Sequence, residues 1–358
     1  SRIKIILMTY NKFYLFVYST LLALTLISCN DDDINCCENM PTSGNVIIVN
    51  EGQFGQGNAT MDVFNTADET IQNKAFSSAN SRGLGDVFQS ITFHDEKMYL
   101  FVNASQRIEV IDEVTFESIA TITGMSSPRY GAVIGNEIYV SDLFSPVLYK
   151  INLTTNMVSG TVDLPVAVEE LVVVNNKIYA SALSFTTLLN EVYIIDPVTE
   201  DISTIEVGNG PEAMVKDAND NIWVYCSGFF TDSLFLPQSL HHINTSNNTV
   251  EKSFDFAGQP AAFPARLAMD VSDNRTIYFT TSTGVKRMSI DAQSAPLVDH
   301  FSYSGSAYGL AVDPDTKDMY IGDAGNFVDP GMLSIFSEDG MLMSMYETGV
   351  SPGRIYFN

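Results

Sequence analysis

The chain has 358 residues, with 18 Lys plus Arg against 43 Asp plus Glu, a formal net charge of −25 at pH 7. That field repels nucleic acid and anionic membrane surfaces, and nucleic acid is not expected as a partner. With 45% hydrophobic residues the chain buries enough apolar surface to fold unaided, and four cysteines without a Cys-x-x-Cys spacing offer no zinc framework.

Residues 1–28 read as a secretory signal rather than as part of the fold. Lys12 opens a short basic region, and Phe13–Ile27 is almost wholly apolar. A run this short is a signal segment, not a membrane span. Leu26-Ile27-Ser28-Cys29 resembles a bacterial lipobox, which implies lipidation of Cys29. An ordinary cleaved signal with a chance cysteine is the alternative. Removal of residues 1–28 deletes Arg2, Lys4 and Lys12 and no acid, making the mature chain more acidic still. Residues 29–44 form an acidic, unstructured tether led by Asp31-Asp32-Asp33. An acidic run behind a lipid-bearing cysteine resembles the surface-export signals of Bacteroidetes lipoproteins. Cys36-Cys37 is a vicinal pair that bridges poorly, and Cys226 reads as a small buried residue.

From residue 45 onward only strand signals appear, without helical periodicity. Asn45–Asn50, Thr60–Asn65 and Thr70–Phe76 give three strands. A phrase then recurs: an apolar strand, a tight polar turn, and Ile or Met followed by Tyr and an apolar residue. Its clearest copies end on Tyr99, Tyr139 and Tyr179, spaced 40 residues apart. Trp223, Tyr278 and Tyr320 mark later copies that drift through insertions. A period near forty made of strands is the signature of a β-propeller, one four-stranded sheet per blade. Six complete blades fall over 89–123, 129–164, 168–207, 211–256, 264–303 and 307–349. Gly353–Phe357 is an orphan strand, and added to the three N-terminal strands it makes a seventh blade. The expected fold is therefore all-β: one seven-bladed β-propeller domain over 45–358, its ring closed by the C-terminal strand completing the first blade.

The two faces of such a ring differ here. Turns between first and second strands are short and polar, as at Asp95-Glu96, Gly135-Asn136 and Asn175-Asn176. Asp-rich ones such as Asp313–Asp318 lack the ordered spacing of a calcium loop. Connections on the other face are longer and carry aromatics: Phe54 among the glycines of 52–57, then Phe88, Phe144, Phe185, Phe229, Phe230, Phe263 and Phe327. Exposed rings on glycine-supported loops suit a bulky, partly apolar ligand or a protein partner. The alternative is that each ring tucks back onto the end of a sheet. Residues opening the innermost strands are expected around the central channel: Gln89, Arg129, Glu169 or Glu170, Glu212, Arg266, Tyr308 and Arg354, with Tyr130 beside them. They can orient a polar ligand by charge-assisted hydrogen bonds, or pair across the channel.

Catalysis is not expected. His241 and His242 are neighbours in a strand and point to opposite faces, and no nucleophile–base pairing or Gly-x-Ser-x-Gly turn occurs. The channel ring lacks the Asn/Asp/Glu cluster that a calcium-dependent lactonase-type propeller needs. No cofactor or metal is implied.

Several segments resemble the DUF5074 lipoproteins of Bacteroidetes, YncE-like seven-bladed surface propellers. They are Val49–Asn58, Leu84–Ser90, Ser126–Tyr130, Tyr139–Leu143 and the closing Pro352–Phe357. The resemblance covers essentially the whole mature chain. It implies an outer-membrane, cell-surface lipoprotein that captures a small molecule beside a TonB-dependent transporter. Members of the broad group bind corrinoids such as cobalamin, and another captures a ferric catecholate siderophore. Charge favours the nearly neutral corrinoid over the strongly anionic siderophore, while Arg129, Arg266 and Arg354 keep the latter open. A protein-interaction propeller without a small-molecule ligand is the third possibility.

Overall fold

The computed structural model describes residues 44–184, 187–231, 234–256 and 264–358. The signal segment, Cys29 and the acidic tether lie outside the described residues, as do Phe185 and Phe263. Of Phe230 only the backbone is described. Seven four-stranded antiparallel sheets form the blades. Blade 1 is built from Asn45–Asn50, Thr60–Asn65, Thr70–Gln72 and the C-terminal Pro352–Phe357. Blades 2 to 7 follow in chain order, opening on strands Phe88–His94, Pro128–Ile134, Val168–Val174, Pro211–Lys216, Leu267–Met269 and Ala307–Val312.

Alternation builds each sheet. Consecutive residues of the second strands project to opposite faces, so both faces of Lys97–Val102, Glu137–Asp142 and Lys177–Ala182 are buried between neighbouring blades. The recurring aromatic of each repeat is the wedge. Tyr99, Tyr179, Trp223 and Tyr278 are almost wholly enclosed, each in an apolar cluster shared by adjacent sheets. The polar turns expected between first and second strands take positive φ at both central residues in Asp95-Glu96 and Asn175-Asn176, which matches hairpin twist.

Closure of the ring is as expected. Val46, Ile47, Ile48 and Val49 pair with Phe357, Tyr356, Ile355 and Arg354. The join to blade 7 is tight: a side chain at Gly309, Gly322 or Gly331 would overlap Pro352.

Two elements depart from the sequence reading. The strand expected over Thr70–Phe76 stops at Gln72, and a six-residue helix, Ala75–Asn80, follows. Lys74, at φ 59°, turns the chain, its amide bonded to Asp62 Oδ1 at 2.8 Å. Ala75 and Phe76 then drop into the core between blades 1 and 2. A helix this short shows no periodicity to read. Blade 5 also carries an extra hairpin, Phe229–Thr231 with Leu234–Leu236, between its second and third strands. No helix among the described residues is long and apolar enough to cross a membrane.

The glycine-lined join gives a direct test of closure. Gly322→Ala should lower stability by about 1–3 kcal/mol, the usual cost of an added methyl group in a packed interior. Urea unfolding should show a lower midpoint at an unchanged slope; an unaltered midpoint would mean that Pro352 does not seat there.

Candidate functional site

The mouth residues are set by a device repeated at the start of the inner strands. In blade 2 the ladder passes from Phe88 opposite Val102 to Ser90 opposite Phe101, leaving Gln89 unpaired. Similar shifts release Arg129 and Tyr130, Glu169 and Glu170, Glu212, and Tyr308. A bulge re-aims the residues it releases, and here those residues converge on the channel. A hydroxyl two positions after the anchor tyrosine satisfies an amide at the start of the inner strand in three blades. Ser141 accepts from Tyr130 N at 3.1 Å, Ser181 from Glu170 N at 3.1 Å, and Thr280 from Arg266 N at 3.0 Å. Ser141 also donates to Glu169 O at 2.7 Å, tying blade 3 to blade 4.

At the channel the charges pair. Arg129 grips Glu169 with two donors, Nε to Oε2 at 3.0 Å and Nη2 to Oε1, and gives Nη1 to Gln89. Arg354, on the closing strand of blade 1, reaches across to Glu170 of blade 4 and to Tyr130 Oη at 2.7 Å. Tyr130 Oη also accepts from Gln89 Nε2 at 2.9 Å. Of the two expectations for this ring, pairing across the channel is what the geometry displays. Arg266 is less engaged: its Nε donates to Tyr308 O, and Glu212 lies 3.9 Å from Nη1. Glu51 was not among the expected mouth residues, yet its Oε2 accepts from Tyr308 Oη at 2.7 Å. Its place in a glycine-rich loop disguised it; Gly353, beside it, leaves no Cβ to block the approach.

Burial governs the electrostatics. It works against the charged form of Arg129 and Arg354, but Glu169 and Glu170 respectively overbalance it and hold both guanidiniums firmly charged. Burial raises the carboxyls of Glu51 and Glu212, opposed by the Tyr308 hydrogen bond at Glu51 and by Arg266 at Glu212. Burial also pushes Tyr130 up to about 12. The floor therefore holds three arginines against four glutamates, two of which resist ionisation.

Above this floor the face opens into a funnel. A cavity of about 660 Å³ is lined by Glu51–Phe54, Asn103, Arg129, Phe144, Tyr308 and Phe327, among others. A second, of about 370 Å³, runs from Arg129 and Glu169 to Leu188, Glu212 and Phe229. A chamber of about 140 Å³ beneath both is lined by the mouth residues, Arg266 and Arg354 included. Phe54 is 82% exposed, Phe144 69%, Phe229 42% and Phe327 39%, so these four rings stand out at the rim rather than tucking back. Phe327 also packs edge-on to Tyr308, centroids 5.1 Å apart.

Phe88 is a correction. It is 0% exposed and packs in the core between blades 1 and 2, because the bulge turns Gln89 inward and leaves Phe88 facing its neighbours. It does not reach the funnel. His241 bonds Ser239 and Ser253, and His242 lies tilted against Trp223 beside Asp217; both serve the interior of blade 5. Cys226 is free and buried, as expected, with its thiol pushed up to about 12 by burial. No group of His, Cys, Asp or Glu among the described residues is arranged to hold a metal ion.

The family profile described as a domain of unknown function, DUF5074, matches residues 44–336, and the chain belongs to that family. No curated protein matches it. Among solved structures, it is similar to a quinonprotein alcohol dehydrogenase-like protein from Bacteroides thetaiotaomicron. That likeness has TM-score 0.67 and 14% identity, covering 88% of this chain and 78% of that one. A putative 6-phosphogluconolactonase from Bacteroides fragilis gives TM-score 0.64 at 10% identity, over 89% of this chain and 99% of that. The periplasmic gluconolactonase of Pseudomonas aeruginosa gives 0.64 at 12%, over 88% and 98%. At these identities the likeness is one of fold alone.

Glu51 provides a test by pH. A carboxyl whose folded value lies above its unfolded one favours folding while protonated. Its contribution is full below about 4.5 and is lost as pH rises through the raised folded value. Glu51→Gln, which can still accept from Tyr308, should match the wild type below pH 4.5 and gain on it as pH rises towards 8. Urea unfolding across that range reads the difference; one that does not change with pH would contradict a Glu51 carboxyl reluctant to ionise.

Proposed function

We propose that this DUF5074 propeller is a capture protein whose funnel holds a bulky, nearly neutral small molecule of the corrinoid class. On this reading it has no catalytic step. It is held by a lipid on Cys29 at the outer-membrane surface and presents its ligand to a TonB-dependent transporter. The observation that carries the reading is the contrast between rim and floor. Phe54, Phe144, Phe229 and Phe327 offer exposed ring faces, while the arginines beneath are largely committed to Glu169 and Glu170. A rim of rings over a near-balanced polar floor favours a flat-sided molecule with hydrogen-bonding groups and little net charge. A strongly anionic ferric siderophore would need guanidiniums not already paired, and the chain's net charge of −25 opposes it further. A cavity of about 660 Å³ lies within the range of drug-sized ligands. A corrinoid would seat part of its surface there and leave the rest accessible to a receiving partner.

Calorimetry on the chain from residue 29, with Cys29→Ser to prevent lipidation, decides between the ligands. Cyanocobalamin should bind, and Phe54→Ala or Phe144→Ala should each weaken binding about tenfold, roughly 1.4 kcal/mol. Both side chains are exposed, so stability should stay within about 0.5 kcal/mol of wild type. Binding of ferric enterobactin in its place would select the siderophore reading. Binding of neither by a folded protein would leave a protein-interaction propeller.

A further inference from the structure

On the face opposite the funnel, blades 7 and 1 enclose a separate cavity of about 310 Å³. Its wall is aromatic. Phe64 of blade 1 lies against Tyr346 and Tyr320 of blade 7, centroids 4.7 and 6.3 Å away. Its rim is acidic, with Asp315 and Asp318 from the first turn of blade 7 and Glu69 from a turn of blade 1. Asp313 is occupied in shaping its own turn, Oδ1 accepting from the amides of Asp315 and Thr316. Lys317, the cation of that turn, is drawn away to Asp270 of blade 6 at 3.2 Å. Among the described residues, no Lys or Arg lines the cavity.

Tyr320 is a second, independent sign. It is 4% exposed and lines this cavity, with Glu69, Asp313 and Asp318 acting on its hydroxyl, which has no hydrogen-bond partner among the described residues. Although the residue is nearly enclosed, its oxygen is not sealed off, and an unbonded hydroxyl open to a cavity can accept from a ligand atom there. Carboxylates with aromatic faces call for a cation. The described carboxylates are not grouped to hold a metal ion, and the cavity has room for an organic group. An unpartnered hydroxyl oxygen further selects a cation that carries N–H bonds. Burial and, behind it, the Asp313 charge keep the Asp318 carboxyl above its ordinary value, consistent with an acidic site lacking a counter-charge.

We propose that this cavity binds a primary alkylammonium group, the chemistry shared by free diamines and lysine side chains. Tyr320 Oη accepts one N–H, Glu69, Asp315 and Asp318 balance the charge, and Phe64 and Tyr346 pack on the adjoining methylenes. The site is independent of the funnel and of any ligand there.

Ligand-observed saturation-transfer NMR on the same Cys29→Ser chain, at fixed ionic strength, tests it. Cadaverine and N-acetyl-lysine methylamide are the probes; tetramethylammonium and calcium are the comparators. Cadaverine or the lysine derivative should bind saturably, and tetramethylammonium, having no N–H, at least fivefold more weakly. Tyr320→Phe and Glu69→Gln should each weaken amine binding severalfold in a protein with unchanged circular dichroism; Glu69 is exposed, so its variant tests charge without disturbing packing. Binding of only the diamine, or only the lysine derivative, keeps the proposal and identifies the source. No binding of either amine, equal binding by both variants, or tetramethylammonium or calcium binding as well as the amines would overturn it.

Discussion

The pairing of Val46–Val49 with Arg354–Phe357 is the interaction on which the rest of the structure depends. Without it blade 1 would be a three-stranded sheet with a free inner edge, and the ring would have two ends. Closure by backbone hydrogen bonds removes those edges. It also fixes, in one stroke, the position of Arg354, whose side chain spans the channel to Glu170 on the far side. A strand added for closure thus supplies a guanidinium that joins blade 1 to blade 4. The glycines at 309, 322 and 331 serve the same end, since each leaves room for Pro352 to enter between blades.

Channel polarity follows from geometry rather than from any one motif. Seven inner strands converge, and bulges at the first residues of five of them aim polar side chains inward. Each buried charge then requires a partner. Arg129 finds Glu169, Arg354 finds Glu170, and Glu51 settles for the Tyr308 hydroxyl and a raised carboxyl. The floor is consequently pre-organised and close to neutral. Discrimination at such a floor comes from hydrogen-bond geometry more than from net attraction, because ligand charge would have to displace pairs already made.

Much of this was legible in the sequence, and the limits have physical causes. Tyr99, Tyr139 and Tyr179 announced the blades because a wedge between sheets must recur wherever the sheets recur. The expected mouth residues were found by position in the repeat, and the structure brings Gln89, Arg129, Tyr130, Glu169, Glu212, Arg266, Tyr308 and Arg354 around one chamber. Which of them pair is a matter of side-chain reach across the ring, and no local pattern encodes it. Phe88 misled because a one-residue bulge reverses which neighbour faces the channel. The hydroxyls of Ser141, Ser181 and Thr280 were visible as Tyr-x-Ser and Tyr-x-Thr in the repeat, but their task exists only once the start of the inner strand leaves an amide outside the ladder.

The two faces divide the chemistry between them for a reason rooted in connectivity. Turns between first and second strands are held short by hairpin geometry, so they favour Asn, Asp and Gly and accumulate carboxylates with little room for apolar side chains. Connections on the funnel face must cross between strands or blades, and their extra length admits rings such as Phe54 and Phe144. Electrostatics sharpens the division. The net charge of −25 sets a background that draws cations everywhere, but only a concave place with carboxylates left over can hold one. In the turn at Asp313–Asp318 the neutralising lysine leaves for Asp270, and the acids that remain face Tyr320. On the funnel face the reverse holds, for there the arginines stay and the acids are matched. The two proposed ligands follow this division, a nearly neutral molecule that stacks on rings for one face and a small cation for the other.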